Sequence, residues 1–186
     1  MANKTSLDPS AFRLPDGQPI AAELVEADLR ARVAKAEETL EDALRQLARF
    51  YSMVGRYPDA TACVERSLAG ARDPAKQAAR CLGLGQLLEQ QDRHAEAEVH
   101  TRTAIAIDPA RHNAHKNLGL ALAGQGRLGE AAHCLVEADR RCPEDARARL
   151  HLVELLAENP EILEADSALA AACRERGIRP GPVGSA

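Results

Sequence analysis

The sequence repeats itself at a fixed spacing, and that spacing limits the fold more than any other feature. Cys81, Leu84, Gly85, Leu88, Ala97, Thr101, Ala104 and Pro109 have counterparts in His115, Leu118, Gly119, Leu122, Ala131, Leu135, Ala138 and Pro143, each 34 residues further on. A repeat of this length is one supersecondary unit that cannot bury its apolar face alone, so it must stack on copies of itself. Leu84, Gly85 and Leu88 share one face of a first helix, and Ala97, Thr101 and Ala104 share one face of a second. Small residues stand where the helices touch: Gly85 and Gly119 from the first helix, Ala97 and Ala131 from the second. Pro109 and Pro143 end the units, since proline cannot extend the preceding hydrogen-bond ladder but suits the start of the next helix.

A third copy lies upstream in Leu44, Leu47, Ala48 and Tyr51, followed by the turn 55–59 and then Ala60, Val64 and Ser67. Ala60 to Ala97 is 37 residues, so three residues are inserted around 70–76, as a longer loop or an extended second helix. A fourth, degenerate copy follows in Arg149, Leu152, Val153, Leu156, Ala165, Leu169 and Ala172, again offset by 34. Val153 replaces the small residue there, Asn159-Pro160 marks the turn, and Glu161, Glu164, Asp166, Arg174 and Arg176 suit a capping unit with one face in water.

Over residues 41–176 this spacing resembles the tetratricopeptide repeat (TPR), W-x2-L-G-x2-Y followed by A-x3-F, A and P. Cys81, His115 and Leu44 stand at its Trp place, which implies lighter packing than in an aromatic-rich array. The resemblance implies an all-α, right-handed α-solenoid of about four TPR helix pairs with an N-terminal helical extension. The expected divisions are a flexible arm 1–18, an extension 19–40, an array 41–177 (repeats 41–74, 78–109, 112–143 and a capping 146–177) and a flexible tail 178–186. It also implies a non-catalytic interaction module or adaptor that binds a peptide segment of a partner protein in the concave groove. Two related readings stand beside it: a secretion-type or assembly chaperone holding a client, and a self-assembling homo-oligomeric scaffold.

No Gly or Pro occurs between Ile20 and Val54. Leu29, Val33, Ala36, Leu40, Ala43, Leu47, Phe50 and Val54 recur at steps of four and three, a heptad seam. Thr39-x2-Asp42 could instead cap a new helix. The stretch is therefore either a helix of roughly 19–36 packing on the first repeat, or one longer helix through which the chain forms a homo-oligomer.

The net charge of -4 and pI near 5.9 give no electrostatic basis for nucleic acid or an anionic membrane as partner. No run approaches 18 apolar residues, so no membrane insertion is expected. Residues 1–20 lack the apolar region of a secretory signal. Five cysteines, an odd number without a C-x-x-C pair, suit free thiols in a reducing, cytoplasmic compartment.

Catalytic or cofactor chemistry finds little footing. Gly124-x-Gly126-x2-Gly129 spells a dinucleotide fingerprint, but no strand precedes it and it falls on the turn between two repeat helices. His112 and His115 share a helical face without a third ligand at metal spacing. No nucleophile elbow, carboxylate pair or phosphate loop is present, so no enzyme activity, cofactor or metal is expected.

Function is expected on the groove that stacked first helices create. Some TPR proteins hold peptide C-termini in a two-carboxylate clamp, Lys-x3-Asn, Asn and Lys-x3-Arg in successive repeats. Aligned with it, this chain reads Leu82-x3-Gln86, Asn117 and Arg147-x3-His151. Asn117 matches, Gln86 and Arg147 are related, His151 is cationic only at lower pH, and Leu82 departs. Lys116 and Asn113 offer substitute hydrogen bonds beside Asn117, and Leu120 adds apolar lining. The candidate peptide-binding residues are thus Gln86, Asn113, Lys116, Asn117, Leu120, Arg147 and His151.

Overall fold

The computed structural model describes residues 22–35 and 40–179, and these form ten helices without a strand. They are α1 (Ala22–Lys35), α2 (Leu40–Met53), α3 (Tyr57–Ala69), α4 (Pro74–Glu89), α5 (His94–Ile107), α6 (His112–Gly124), α7 (Leu128–Arg141), α8 (Ala146–Glu158), α9 (Glu161–Ala165) and α10 (Ser167–Glu175). Each helix packs on its neighbour in the chain, most extensively in the pairs α2–α3, α4–α5 and α6–α7, and α4 also touches α6. The result is the α-solenoid of four helix pairs with a preceding helix. The arm 1–18 and residues 180–186 of the tail lie outside the described residues, but Ile178 is only 4% exposed and belongs to the core.

The same turn joins the helices of the first three pairs. Gly55, Asp92 and Gly126 occupy equivalent places with φ of 76°, 57° and 76°. The next residue donates its backbone N–H five residues back: Arg56 to Tyr51 O, Arg93 to Leu88 O and Arg127 to Leu122 O, at 2.8, 3.0 and 3.0 Å. This left-handed C-terminal turn satisfies carbonyls that the ending helix would otherwise orphan. The arginine that follows then reaches an acid three residues on, in the pairs Arg56–Asp59, Arg93–Glu96 and Arg127–Glu130.

Small residues set the spacing within each pair. Ala60, Ala97 and Ala131 are fully buried. A Cβ built on Gly85 would meet Thr101 Oγ1 at 2.4 Å, and one on Gly119 would meet Leu135 Cγ at 2.8 Å. Leucines fill what remains, with Leu84, Leu122, Leu135, Leu152, Leu156 and Leu169 each at most 1% exposed.

The three inserted residues are absorbed elsewhere than in a longer loop or second helix. Asp73 caps α4 by accepting from Ala75 N at 3.2 Å, and Pro74 opens it. The helix thereby begins 38 residues before α6, four more than the 34-residue register, and gains an extra first turn. The fourth pair departs too: its second helix is broken into α9 and α10 at Asp166, which is extended and caps α10 through Leu169 N at 2.9 Å.

At the other end, α1 doubles back on α2. In one continuous helix Glu26 and Tyr51 would stand about 37 Å apart at 1.5 Å per residue. Instead the Tyr51 hydroxyl donates to Glu26 at 3.1 Å and accepts from Arg30 Nε at 3.0 Å, and Glu26 also pairs with Arg56. Ala43, Leu47 and Phe50 of the heptad seam are buried in the core of the first pair. Ala36, Thr39 and the side chains of Leu29 and Val33 lie outside the described residues.

Candidate functional site

The first helices of three successive pairs, α2, α4 and α6, wall a groove of about 640 Å³, with α3 contributing one side. Leu44, Ala48, Val64, Leu87 and Leu120 give it an apolar floor. Helix geometry explains the lining: Arg45, Ala48, Arg49 and Ser52 recur at three- and four-residue steps, so one stripe of α2 faces the groove while Leu47, Phe50 and Tyr51 face the core.

Four of the seven expected residues, Gln86, Lys116, Asn117 and Leu120, come together in this groove. The other three form a separate, self-satisfied group beyond it. Arg147 donates twice to Asp145 at 2.7 Å and reaches Asn113 Oδ1 at 3.4 Å. His151 lies 3.6 Å from Glu154, a carboxylate of its own helix. The Asp145 carboxyl is held far below its usual range, first by the Arg147 side chain, against a smaller effect of burial.

Three groove cations escaped the sequence argument: Arg45, Arg49 and Arg80. The first two were findable. Arg45 and Arg49 stand 37 residues before Leu82 and Gln86, the same offset that separates Ala60 from Ala97. Carrying the register that selected Gln86 and Leu120 back to the first repeat would have selected them. Arg80 had no such signal, because its repeat counterpart is Ala114.

The groove is positive in a chain whose net charge is -4. It holds Arg45, Arg49, Arg80 and Lys116 against one carboxylate, Glu89, which is already engaged by His94 Nδ1 at 2.8 Å. Arg45 pairs with Asp42, and Arg80 with Glu41 and with Ser67 Oγ at 2.8 Å. Arg49 and Lys116 have no ion-pair partner among the described residues. Lys116 is 7% exposed, and burial holds its ammonium below the ordinary lysine pKa, with Arg147 adding to the effect and Asp145 opposing it. Beside it, Asn117 is 2% exposed and its Nδ2 donates to nothing.

The remaining candidate chemistry resolves into structure. Gly124 packs under the His94 ring, which a Cβ would meet at 2.4 Å, and Gly126 makes the positive-φ turn. His112 and His115 have different partners, Asp145 at 3.5 Å and the Pro109 carbonyl at 3.3 Å. Burial pushes the His115 pKa down, against that hydrogen bond. No group of three His, Cys, Asp or Glu side chains among the described residues could hold a metal, and no described helix is long and apolar enough to cross a membrane. Cys63, Cys81 and Cys173 are buried, and burial raises all three thiol pKa values.

No family profile matches the sequence, and none of the curated proteins is similar to it. Solved structures of MamA share the fold. The structure "MamA 41-end from Desulfovibrio magneticus RS-1" superposes with a TM-score of 0.66 at 18% identity, over 84% of each chain. A second MamA crystal structure gives 0.65 at 18% identity, over 84% of this chain and 88% of that one. The structure "MamA MSR-1 C2" gives 0.57 at 21% identity, over 86% and 92%. At these identities the likeness is one of fold.

Proposed function

We propose that this chain is a non-catalytic, TPR-type interaction module that lays an extended segment of a partner protein along the groove of α2, α4 and α6. The observation that carries this reading is the groove itself: about 640 Å³ across three consecutive pairs, apolar along its floor and lined with side-chain donors. An apolar pocket with a few converging polar groups is the usual form of a binding site. A curved helical stack presents such a surface without a moving part. The repeat pattern and the fold shared with MamA support a binding role over a catalytic one. The binding surface is centred on Arg49, Gln86, Lys116, Asn117 and Leu120, and Asn113, Arg147 and His151 lie outside it.

Affinity capture from source-cell lysate tests the reading, using wild type, an Arg49→Glu/Gln86→Ala variant and Arg147→Ala in parallel. A partner held by wild type and Arg147→Ala but lost by the groove variant is the expected result. Retention of the same partner by all three folded forms overturns the groove assignment.

A further inference from the structure

The groove contains two groups that folding alone does not account for. Burying an amine or amide donor without a partner is unfavourable, and nearly all buried polar groups in native proteins are paired. Lys116 and Asn117 are neighbours on α6, are buried to more than nine-tenths, line the groove, and have no acceptor in the chain for the lysine charge or the amide Nδ2. Elsewhere the same chain satisfies comparable groups. Asp139, fully buried, receives both Arg149 and Arg176. A missing acceptor on a groove wall is what a ligand oxygen would supply.

Resting on the reading of the groove as a peptide site, we infer that Lys116 and Asn117 form a carboxylate-binding subsite, and that the occupant is an acidic stretch of a partner chain. One Asp or Glu side chain of that stretch accepts from Lys116 Nζ and Asn117 Nδ2. A further acidic side chain meets Arg49 on the opposite wall, and apolar residues between them sit on Leu44, Val64 and Leu120. Charge complementarity selects this occupant: four groove cations face one carboxylate that is already paired. The Asp145–Arg147 pair neutralises the surface beyond α6, so the positive stretch ends there.

The test uses the full chain and a random nonapeptide library, acetylated and amidated at its ends so that its only carboxylates are side chains. Bound peptides are sequenced for wild type and for Lys116→Met, which keeps much of the side-chain volume and removes the charge. The expected result is enrichment of Asp or Glu with wild type that disappears with Lys116→Met. Replacing the selected acid by its amide in one enriched peptide should weaken binding about ten- to hundredfold, the range of a charge-assisted hydrogen bond.

Thermal melting separates binding from a structural role, because Lys116→Met should melt above wild type while binding less. A lower melting temperature would make Lys116 a structural residue and overturn the inference. Enrichment of non-acidic peptides that compete for the groove overturns the carboxylate subsite and leaves the peptide groove standing. Acid selection seen only with a free-C-terminus library, through the terminal carboxylate, overturns the side-chain source. No selection of any peptide by either library overturns both readings.

Discussion

Gly119→Ala isolates the close approach of α6 and α7. Alanine is a better helix former than glycine by about 1 kcal/mol, so the substitution would stabilise a helix with free space at that position. Gly119 has none. Its new Cβ would lie 2.8 Å from Leu135 Cγ, 3.1 Å from Leu135 Cδ2 and 3.1 Å from the Ala131 carbonyl oxygen. Leu135 is 1% exposed and is met at its branch point, and the carbonyl is backbone, so relief requires the helices to part. Overpacking of this kind costs about 1–3 kcal/mol, which outweighs the propensity gain and leaves a net loss of about 1–2 kcal/mol. Gly83→Ala is the matched control, because the nearest atom to its Cβ is Val64 Cγ1 at 3.9 Å, an ordinary contact. It should gain about 0.5–1 kcal/mol. Urea denaturation followed by circular dichroism measures both, and in a chain of this size each kcal/mol moves the melting temperature by about 2–4 °C. If Gly119→Ala proves as stabilising as Gly83→Ala, the helices are not in contact at Gly119 and the packing argument fails.

The Asp139 triad ties α7 to α8 and to the end of α10, since Arg176 also donates to the Asp139 carbonyl at 2.9 Å. Asp139→Ala should lose about 3 kcal/mol in urea denaturation, the low end for a broken buried ion pair because Arg149 is partly exposed. A loss under about 1 kcal/mol would refute that role. Glu98 and Glu137 are each held down to about 2, the first chiefly by Gln125 and then Arg102 and Arg127, the second by Arg140 and then Arg141, in both cases against burial. Their stabilisation is complete above the unfolded carboxylate pKa and is lost as pH falls from about 4.5 towards 2, which melting curves across that window will follow. Gly126→Ala should cost about 1 kcal/mol through its positive φ alone, since nothing lies within 4 Å of its Cβ. Asp92→Gly at the equivalent turn should be neutral or gain up to about 1 kcal/mol, read by the same melts. Cys63, Cys81 and Cys173 should resist a bulky thiol reagent at neutral pH until the chain unfolds, as peptide mass mapping of the labelled protein will show.

The fold was legible in the sequence because repeats write their packing as spacing. Ala97 and Ala131, set aside as contact residues from a 34-residue offset, are fully buried. What the spacing could not carry was the handling of an insertion. Three extra residues fit a loop, a second helix or a first helix equally well by count, and Asp73-Pro74 decided it by supplying a cap and a first-turn proline. The heptad seam misled for a related reason. Ala43, Leu47 and Phe50 satisfy a coiled-coil period and an amphipathic repeat helix alike, and only the tertiary contacts of Tyr51 with Glu26 and Arg30 separate the two. At the groove, alignment from the second repeat onward found Gln86, Lys116, Asn117 and Leu120 but reached Arg147 and His151 where the surface had already turned neutral. Position in a repeat specifies which way a side chain faces, and it carries no record of the local carboxylate that consumes a charge. Asp145, two residues before Arg147, supplies that carboxylate.

The contrast between paired and unpaired cations explains why a chain of net charge -4 can still present a positive site. On the turns between helices, Arg56, Arg93 and Arg127 each meet an acid three residues on, and Arg127 additionally meets Glu98 from the preceding pair. Those acids hold successive repeats in register and are lost to any outside partner. Within the groove, Arg49 is followed three and four residues later by Ser52 and Met53, and Lys116 by Gly119 and Leu120, so neither helix offers its own cation a carboxylate. Local pairing thus neutralises the outer turns and leaves the inner wall charged. An acid placed at Leu120 would test this directly: Leu120→Glu stands four residues from Lys116 on the same helix and should raise stability while abolishing capture of the partner. Measured by melting and by affinity capture side by side, a stabilised protein that still binds would show that the Lys116 charge takes no part in recognition.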